Sequence, residues 1–366
     1  MKLLVVGGGG REHAIIRSLK KNPEVTEIFA APGNGGIAQD ATCVAIGATD
    51  IEKIVAFAVE NAIDYCVVAP DDPLVLGCVD ALEEKGIPCF GPKANAAIIE
   101  GSKVFSKNLM KKYGIPTAQY EVFENMEAAL SYLETAPIPT VIKADGLALG
   151  KGVIIAQTRE EALEAVTDMM ANAKFGKSGS TVVIEEFLEG PEVSVLAFTD
   201  GKVVKPMVSS MDHKRIGDND TGLNTGGMGT VAPNPYYTAD IAEECMKTIF
   251  LPTINAMNAE NRTFKGCLYF GLMITLKKAA QGDLKEIHRI QVASFQALLD
   301  KYQDYGTNPA AECFERILER FQVKTTDYYL ICLNEQNIGM VRVCDFGTMC
   351  RISPIGILPE FQGRGF

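Results

Sequence analysis

Three short, unbroken apolar runs, at residues 3–6, 28–31 and 65–69, lack the polar alternation of a half-wetted strand. Such runs belong to strands buried on both faces, the setting of a parallel sheet covered by helices. Helical patterns over about 12–20 and 51–61 lie between them, and residues 88–91 make a fourth, short strand. Strand, helix and strand in alternation require right-handed crossovers. Residues 1–102 are therefore expected to form one α/β domain with a parallel sheet.

The pattern changes at Lys103. A helix over 103–113 precedes a Gly-Ile-Pro turn, after which residues 120–123, 140–144, 152–156 and 181–185 read as strands with helices between them. Residues 193–199 and 202–208 read as a hairpin on an Asp200-Gly201 turn. This second region, 103–276, is partly antiparallel and thus α+β. At 366 residues the chain is too long for one core, and 277–366 is expected to form a third segment with its own helices and strands.

Composition narrows the functions open to such a chain. The net charge of −11 argues against a nucleic-acid surface, where Lys and Arg must neutralise phosphates. It leaves room for phosphorylated small molecules, which a few placed lysines and backbone amides can hold. The ten cysteines form no C-x-x-C pair and read as reduced, buried thiols. The opening apolar run stops at Gly7 after four residues, too short for a signal peptide, and no stretch is long enough to cross a bilayer. A cytoplasmic protein without membrane or nucleic-acid partners is the expectation.

Four constellations can carry chemistry. The turn Gly7-Gly8-Gly9-Gly10-Arg11-Glu12-His13 joins a strand to a helix, where amides and the helix dipole can hold a phosphate, although a structural tight turn has the same look. No acidic residue follows a second strand at the spacing a dinucleotide site needs. Gly33 and Asn34 end the next strand on the same sheet edge and would line the same crevice. In the second constellation a strand ends at Lys143, enters a small glycine-rich loop and leaves through Lys151. A hairpin of this kind can cover a polyphosphate while its ammonium groups offset the charge, and it is not a Walker A sequence. Third, Glu185-Glu186-Phe187-Leu188-Glu189-Gly190-Pro191-Glu192 follows a buried strand: backbone at Glu186 and Leu188 can pair with an adenine edge and Glu192 with ribose hydroxyls, or the turn is a solvated acidic loop. Last, the polar loop over 209–229 gathers Asp212, His213, Lys214 and Arg215 with Asn224, Thr225, Gly226, Gly227 and Met228, a composition suited to a small zwitterion and a phosphorylated sugar.

Taken in order, these motifs resemble the glycinamide ribonucleotide synthetase family of ATP-grasp carboxylate–amine ligases. The resemblance runs from Met1 to about Ile274 and includes Gly8-Gly9-Gly10-Arg11-Glu12-His13-Ala14, Ala31-Pro32-Gly33-Asn34, Gly101-Ser102-Lys103, Ile142-Lys143-Ala144-Asp145-Gly146 and Gly150-Lys151-Gly152-Val153. It continues through Glu185-Glu186-Phe187-Leu188, Asp212-His213-Lys214-Arg215, Asn224-Thr225-Gly226-Gly227-Met228-Gly229 and Gly271-Leu272-Met273. It implies a pre-ATP-grasp domain, then an ATP-grasp domain with a lid subdomain at about 117–190, acting on ATP, glycine and 5-phosphoribosylamine with Mg2+ or Mn2+. It further implies that Lys103 and Lys143 contact nucleotide phosphates, with residues 145–151 as lid, and that Glu185, Glu186, Leu188 and Glu192 hold adenine and ribose. Lys143, Lys151, Asp212, Lys214 and Arg215 are the catalytic candidates it implies. Gly9, Gly10, Arg11, Glu12, Gly33, Asn34, Asp212, His213, Lys214 and residues 224–228 are those for substrate.

The resemblance ends where the family continues into a strand with Glu-x-Asn, whose side chains ligate magnesium, and then Arg-Phe-Gly-Asp-Pro-Glu. This chain has Glu286-Ile287-His288 instead, which makes Glu286 and His288 the substitute metal candidates, although imidazole suits a hard cation poorly. Beyond them, residues 328–333, 337–343 and 350–357 read as strands, and Leu358 to Phe366 resembles the acetyl-CoA loop of the GNAT acetyltransferases, cut short. A ligase, a non-catalytic nucleotide- or phosphosugar-binding protein, and a truncated ligase–acetyltransferase fusion are the functions this sequence admits.

Overall fold

A computed structural model describes residues 1–146, 152–171, 179–218, 221–225, 227–274, 277–333 and 336–363. The chain divides into two compact units, one built from Met1–Leu188, Glu192–Tyr237 and Cys245–Leu272, the other from Glu189–Pro191, Thr238–Glu244 and Met273–Phe366.

The first unit opens with β1 (Lys2–Gly7), α1 (Gly10–Leu19), β2 (Glu27–Pro32), β3 (Thr42–Cys43), α2 (Ile51–Glu60), β4 (Tyr65–Val68), α3 (Asp71–Val75), α4 (Cys78–Glu83), β5 (Cys89–Phe90) and α5 (Ala94–Gly101). The five strands form one parallel sheet in the order β3-β2-β1-β4-β5. The unbroken apolar run of β1 has a direct cause. Leu3 and Val5 pack with Ile16, Ile28 and Ile37 on one face, while Leu4 and Val6 pack with Phe29, Ile54 and Leu82 on the other. Burial of each such side chain contributes about 1.5–3 kcal/mol, so neither face tolerates a polar residue. The strand order reverses beside β1, which places the β1 and β4 loops at the crevice where α/β sheets bind ligands.

α6 (Lys103–Tyr113) follows, with Ser102 as N-cap to the Phe105 amide and Gly114 as left-handed C-cap. Next come β6 (Tyr120–Phe123), α7 (Met126–Leu133), β7 (Thr140–Ala144), β8 (Val153–Ala156), α8 (Arg159–Met170) and β9 (Val182–Glu186). These strands make a wholly antiparallel sheet in the order β6-β9-β7-β8. Ala129 and Leu133 of α7 and Ala162, Val166 and Met169 of α8 bury its apolar side. A three-stranded sheet carries β10 (Glu192–Thr199) at its centre, flanked by β11 (Val204–Pro206) and the later β16 (Gly266–Met273). The β10–β11 hairpin turns where expected, with Asp200 Oδ1 accepting from the Lys202 and Val203 amides and Gly201 at φ +93°. The segment read as a loop holds two small antiparallel ladders: β12 (Met211–Asp212) with β15 (Thr230–Val231), and β13 (Arg215–Gly217) with β14 (Thr221–Asn224). α9 (Ala239–Cys245), which belongs to the second unit except for its last residue, and α10 (Leu251–Ala259) of the first unit precede β16 in the chain.

The second unit gathers β17 (Lys277–Lys278), α11 (Leu284–Tyr302), α12 (Phe314–Phe321), β18 (Thr326–Leu333), β19 (Gln336–Asp345) and β20 (Cys350–Ile357). Its sheet is antiparallel and sequential, β17-β18-β19-β20. Leu284, Ile287 and Ile290 of α11 pack with Ile317, Tyr328, Leu330 and Met340. The three strands expected here appear, and α11 begins at Leu284. Apolar spacing at 284, 287 and 290 has a helical period, and it draws Glu286 and His288 into the helix. No helix among the described residues is long and apolar enough to cross a membrane.

Candidate functional site

The glycine turn after β1 is closed by its own helix. Gly9 N–H donates to Glu12 Oε2 at 2.5 Å, and Glu12 is only 4% exposed. The amide expected to face a phosphate thus already has an anion, and Glu12, a substrate candidate, is an internal cap. The neighbouring loop is bonded to this turn: Gly33 N–H donates to Gly7 O at 3.1 Å and Asn34 Nδ2 to Gly8 O at 2.8 Å. A Cβ on Gly8 would stand 2.7 Å from Gly33 O, so the two loops approach as closely as glycine permits. Gly10 and Arg11 remain exposed. The Arg11 charge acts on Asp71, which opens α3 after β4; burial raises the Asp71 pKa and Arg11 opposes the rise.

The lysine motif lies at the end of β7. Lys103 and Lys107 are one turn apart on α6 and project from the same face. Lys103 Nζ donates to Gly146 O at 2.5 Å, and Lys107 Nζ reaches Glu185 Oε2 at 3.0 Å and Thr117 Oγ1 at 2.7 Å. Lys143, on β7 beside β9, donates to the same Glu185 Oε2 at 2.8 Å. Glu185 Oε1 is buried and has no hydrogen-bond partner. Asp145 anchors the base of the hairpin at the α6 N-terminus, accepting from Ser102 Oγ and the Val104 amide, each at 3.1 Å. Burial lowers the Lys103 pKa, opposed by Asp145 and reinforced by the like charge of Lys143. Burial also lowers that of Lys107, and Glu185 opposes it. Glu100, ahead of Lys103, is pushed up to about 7 by burial and by Asp71. Lys103, Lys143 and Glu185 therefore share one polar site. Lys151 and the hairpin tip, 147–151, lie outside the described residues.

Glu186 is tied to the strand edge: its N–H donates to Gln119 O at 3.0 Å and its Oε1 accepts from the Gln119 amide at 2.8 Å. Its amide is thus no donor for a base, and Leu188 lies just past β9. Glu192 forms an ion pair with Lys214. Burial works against the Lys214 ammonium, but Glu192 outweighs it and the pKa stands above its ordinary value. The two halves of the polar segment are zipped together. His213 N–H donates to Gly229 O, Met228 N–H to His213 O, and both the amide and hydroxyl of Thr225 to Lys214 O. Arg215 Nη1 donates to Gly222 O at 3.1 Å. Gly227 has φ +112°, and a Cβ there would stand 2.9 Å from Asp212 Oδ1; only glycine fits beside that carboxylate. Gly226 and the Asn224 side chain lie outside the described residues.

The metal candidates are corrected. Glu286 and His288 sit two apart on α11, where side chains do not face each other. Glu286 holds Arg289 through two hydrogen bonds of 2.8 Å, and His288 Nε2 bonds Glu312 O at 3.0 Å. Among the described residues no group of three or more His, Cys, Asp or Glu side chains is placed to hold a metal ion. Sequence reasoning missed Lys107, Asp71 and Glu100; the i,i+4 spacing of Lys107 from Lys103 was the available signal for the first.

Two family descriptions match this chain: phosphoribosylglycinamide synthetase, N domain, over residues 1–100, and phosphoribosylglycinamide synthetase, ATP-grasp (A) domain, over residues 101–286. The phosphoribosylamine–glycine ligases of Pasteurella multocida and Escherichia coli O157:H7 are each 50% identical over 276 residues, 75% of this chain and 64% of theirs. The chain thus spans under two-thirds of the length of these curated relatives. Among solved structures, phosphoribosylamine–glycine ligase from Thermotoga maritima superposes with a TM-score of 0.65 at 34% identity, covering 75% of this chain and 66% of that one. The biotin carboxylase domain of Hydrogenobacter thermophilus 2-oxoglutarate carboxylase, 16% identical, covers 94% of this chain and 74% of that one with a TM-score of 0.57, a likeness of fold alone. The family matches end at residue 286 and lend the acetyltransferase resemblance of the tail no support.

Proposed function

The chain belongs to the phosphoribosylglycinamide synthetase family, and from that premise we propose that it joins glycine to 5-phosphoribosylamine with ATP, giving glycinamide ribonucleotide, ADP and phosphate. The glycine carboxylate attacks the γ-phosphorus and ADP leaves. The amine of phosphoribosylamine then attacks the carbonyl of glycyl phosphate, and phosphate departs as the amide forms. Such chemistry asks for positioning and charge compensation rather than an enzymic nucleophile.

In this reading residues 1–102 hold the phosphoribosyl substrate, 103–276 bind ATP with 117–190 as lid, and 277–366 form a third segment. Lys103 and Lys143 meet the phosphates, and Lys151 belongs to the lid. The adenine lies against the Glu186 carbonyl, Leu188 and the bare oxygen of Glu185, with Glu192 at the ribose. Asp212, His213, Lys214, Arg215 and residues 224–228 receive glycine and the sugar phosphate; Gly9, Gly10, Arg11, Gly33 and Asn34 face the phosphoribosylamine. The observation that supports this best is the meeting of Lys143 with Glu185, whose Oε1 is buried and unpartnered. A buried acceptor left bare is destabilising unless a ligand donor completes it, and the adenine amino group is such a donor. Mg2+ or Mn2+ is the metal this reading implies, held mainly by the phosphates of ATP with one or two carboxylates, and no step here runs through it.

Coupled ADP release with glycine and phosphoribosylamine tests the reading. ADP formation that requires both substrates, with glycinamide ribonucleotide detected by mass spectrometry, supports it. ATP binding without turnover favours the non-catalytic nucleotide-binding alternative, and absence of nucleotide binding overturns both.

A further inference from the structure

We propose that Lys107 is a positioning residue that holds Glu185 from its buried side and so frees Lys143 to leave that carboxylate for a ligand phosphate. The inference rests on the nucleotide-binding reading above, and no motif or comparison assigns Lys107 a role.

The two lysines differ in freedom. Lys107 has a side chain 9% exposed and is fixed by Glu185 Oε2 at 3.0 Å, Thr117 Oγ1 at 2.7 Å and the Tyr120 ring, 5.5 Å from its ammonium. Lys143 is 26% exposed, and among the described residues its ammonium has no hydrogen bond other than that to Glu185. Both cations meet on one oxygen, although a carboxylate can accept on two. A pair of ion pairs built only for stability would use both oxygens; here Oε1 stays bare. A buried carboxylate with a single counter-ion holds it tightly, because its loss leaves an uncompensated charge. With Lys107 in place, Lys143 can depart and the carboxylate remains paired. Burial pulls the Lys107 pKa down and Glu185 opposes that pull.

Calorimetry of the full chain with two probes, ATP and inorganic tripolyphosphate, tests this. Lys107→Met is expected to weaken both by tenfold or more, since Lys143 becomes the sole counter-ion of Glu185, while Lys107→Arg stays within threefold of wild type. Glu185→Gln releases Lys143 and is expected to tighten tripolyphosphate binding threefold or more, a gain that a merely structural role does not produce. Lys107→Met combined with Glu185→Gln should return tripolyphosphate affinity to within threefold of wild type. Should Lys107→Met fail to fold, the sign of the Glu185→Gln effect decides alone: weaker tripolyphosphate binding than wild type overturns the proposal. A folded Lys107→Met that binds both probes like wild type overturns it as well. Wild-type binding of neither probe removes the nucleotide reading itself and this inference with it.

Discussion

Two strand ends in the first unit carry a carboxylate, and they complete it differently. After β1, Glu12 accepts from the Gly9 amide of its own turn and is closed off, with the Asn34 loop bonded across the turn. At the end of β9, Glu185 takes two lysines on one oxygen and keeps the other bare. Both motifs look like ligand sites in the sequence. A polar turn whose donors and acceptors are matched internally is architecture, whereas one that leaves a buried acceptor unmatched is incomplete until something binds.

The contrast can be broken by substitution. Glu185→Ala should produce the largest effect, because it leaves Lys107 buried without its counter-ion; about 3 kcal/mol of stability or more is expected to be lost in denaturant titration. A loss under about 1 kcal/mol would show that this charge network is not what holds the α6–β9 region together. Glu100→Gln probes an intermediate case, a carboxylate that burial pushes up to about 7 from 4.5. Because the folded-state pKa is raised, the wild-type group contributes stability below about 4.5 that is lost as pH rises through about 7. The neutral variant is expected to be more stable than wild type by about 2 kcal/mol at pH 8, after allowance for partial exposure, and by under about half that at pH 5. Equal gains at both pH values would contradict the burial of this group. Glu12→Ala should be the mildest, costing about 1 kcal/mol as a lost cap, with ATP affinity by calorimetry unchanged within threefold. A tenfold fall in that affinity would make the glycine turn part of the nucleotide site and erase the distinction.

Much of the fold was legible because periodicity reports burial. The unbroken apolar run of β1 announced a strand with a core on each face, and the Asp200-Gly201 pair announced its hairpin. The candidate site was legible only in part. Lys143 and Glu185 were visible as motif residues, but nothing singled out Lys107 within its helix, and its burial comes from how α6 packs. Glu286 and His288 looked like spaced ligands until the apolar rhythm of their neighbours placed them on a helix, engaged elsewhere.

By itself, then, the amino-acid order determined many of the strands and helices, that the opening sheet is parallel, and which glycines and lysines stand at strand ends, because these follow from local pattern and chain geometry. Tertiary structure alone decided which carboxylates are internally matched and which are left wanting. That depends on groups distant in sequence, such as Lys107 and Lys143 meeting on one oxygen of Glu185, and on burial, which sets how much an unmatched charge costs.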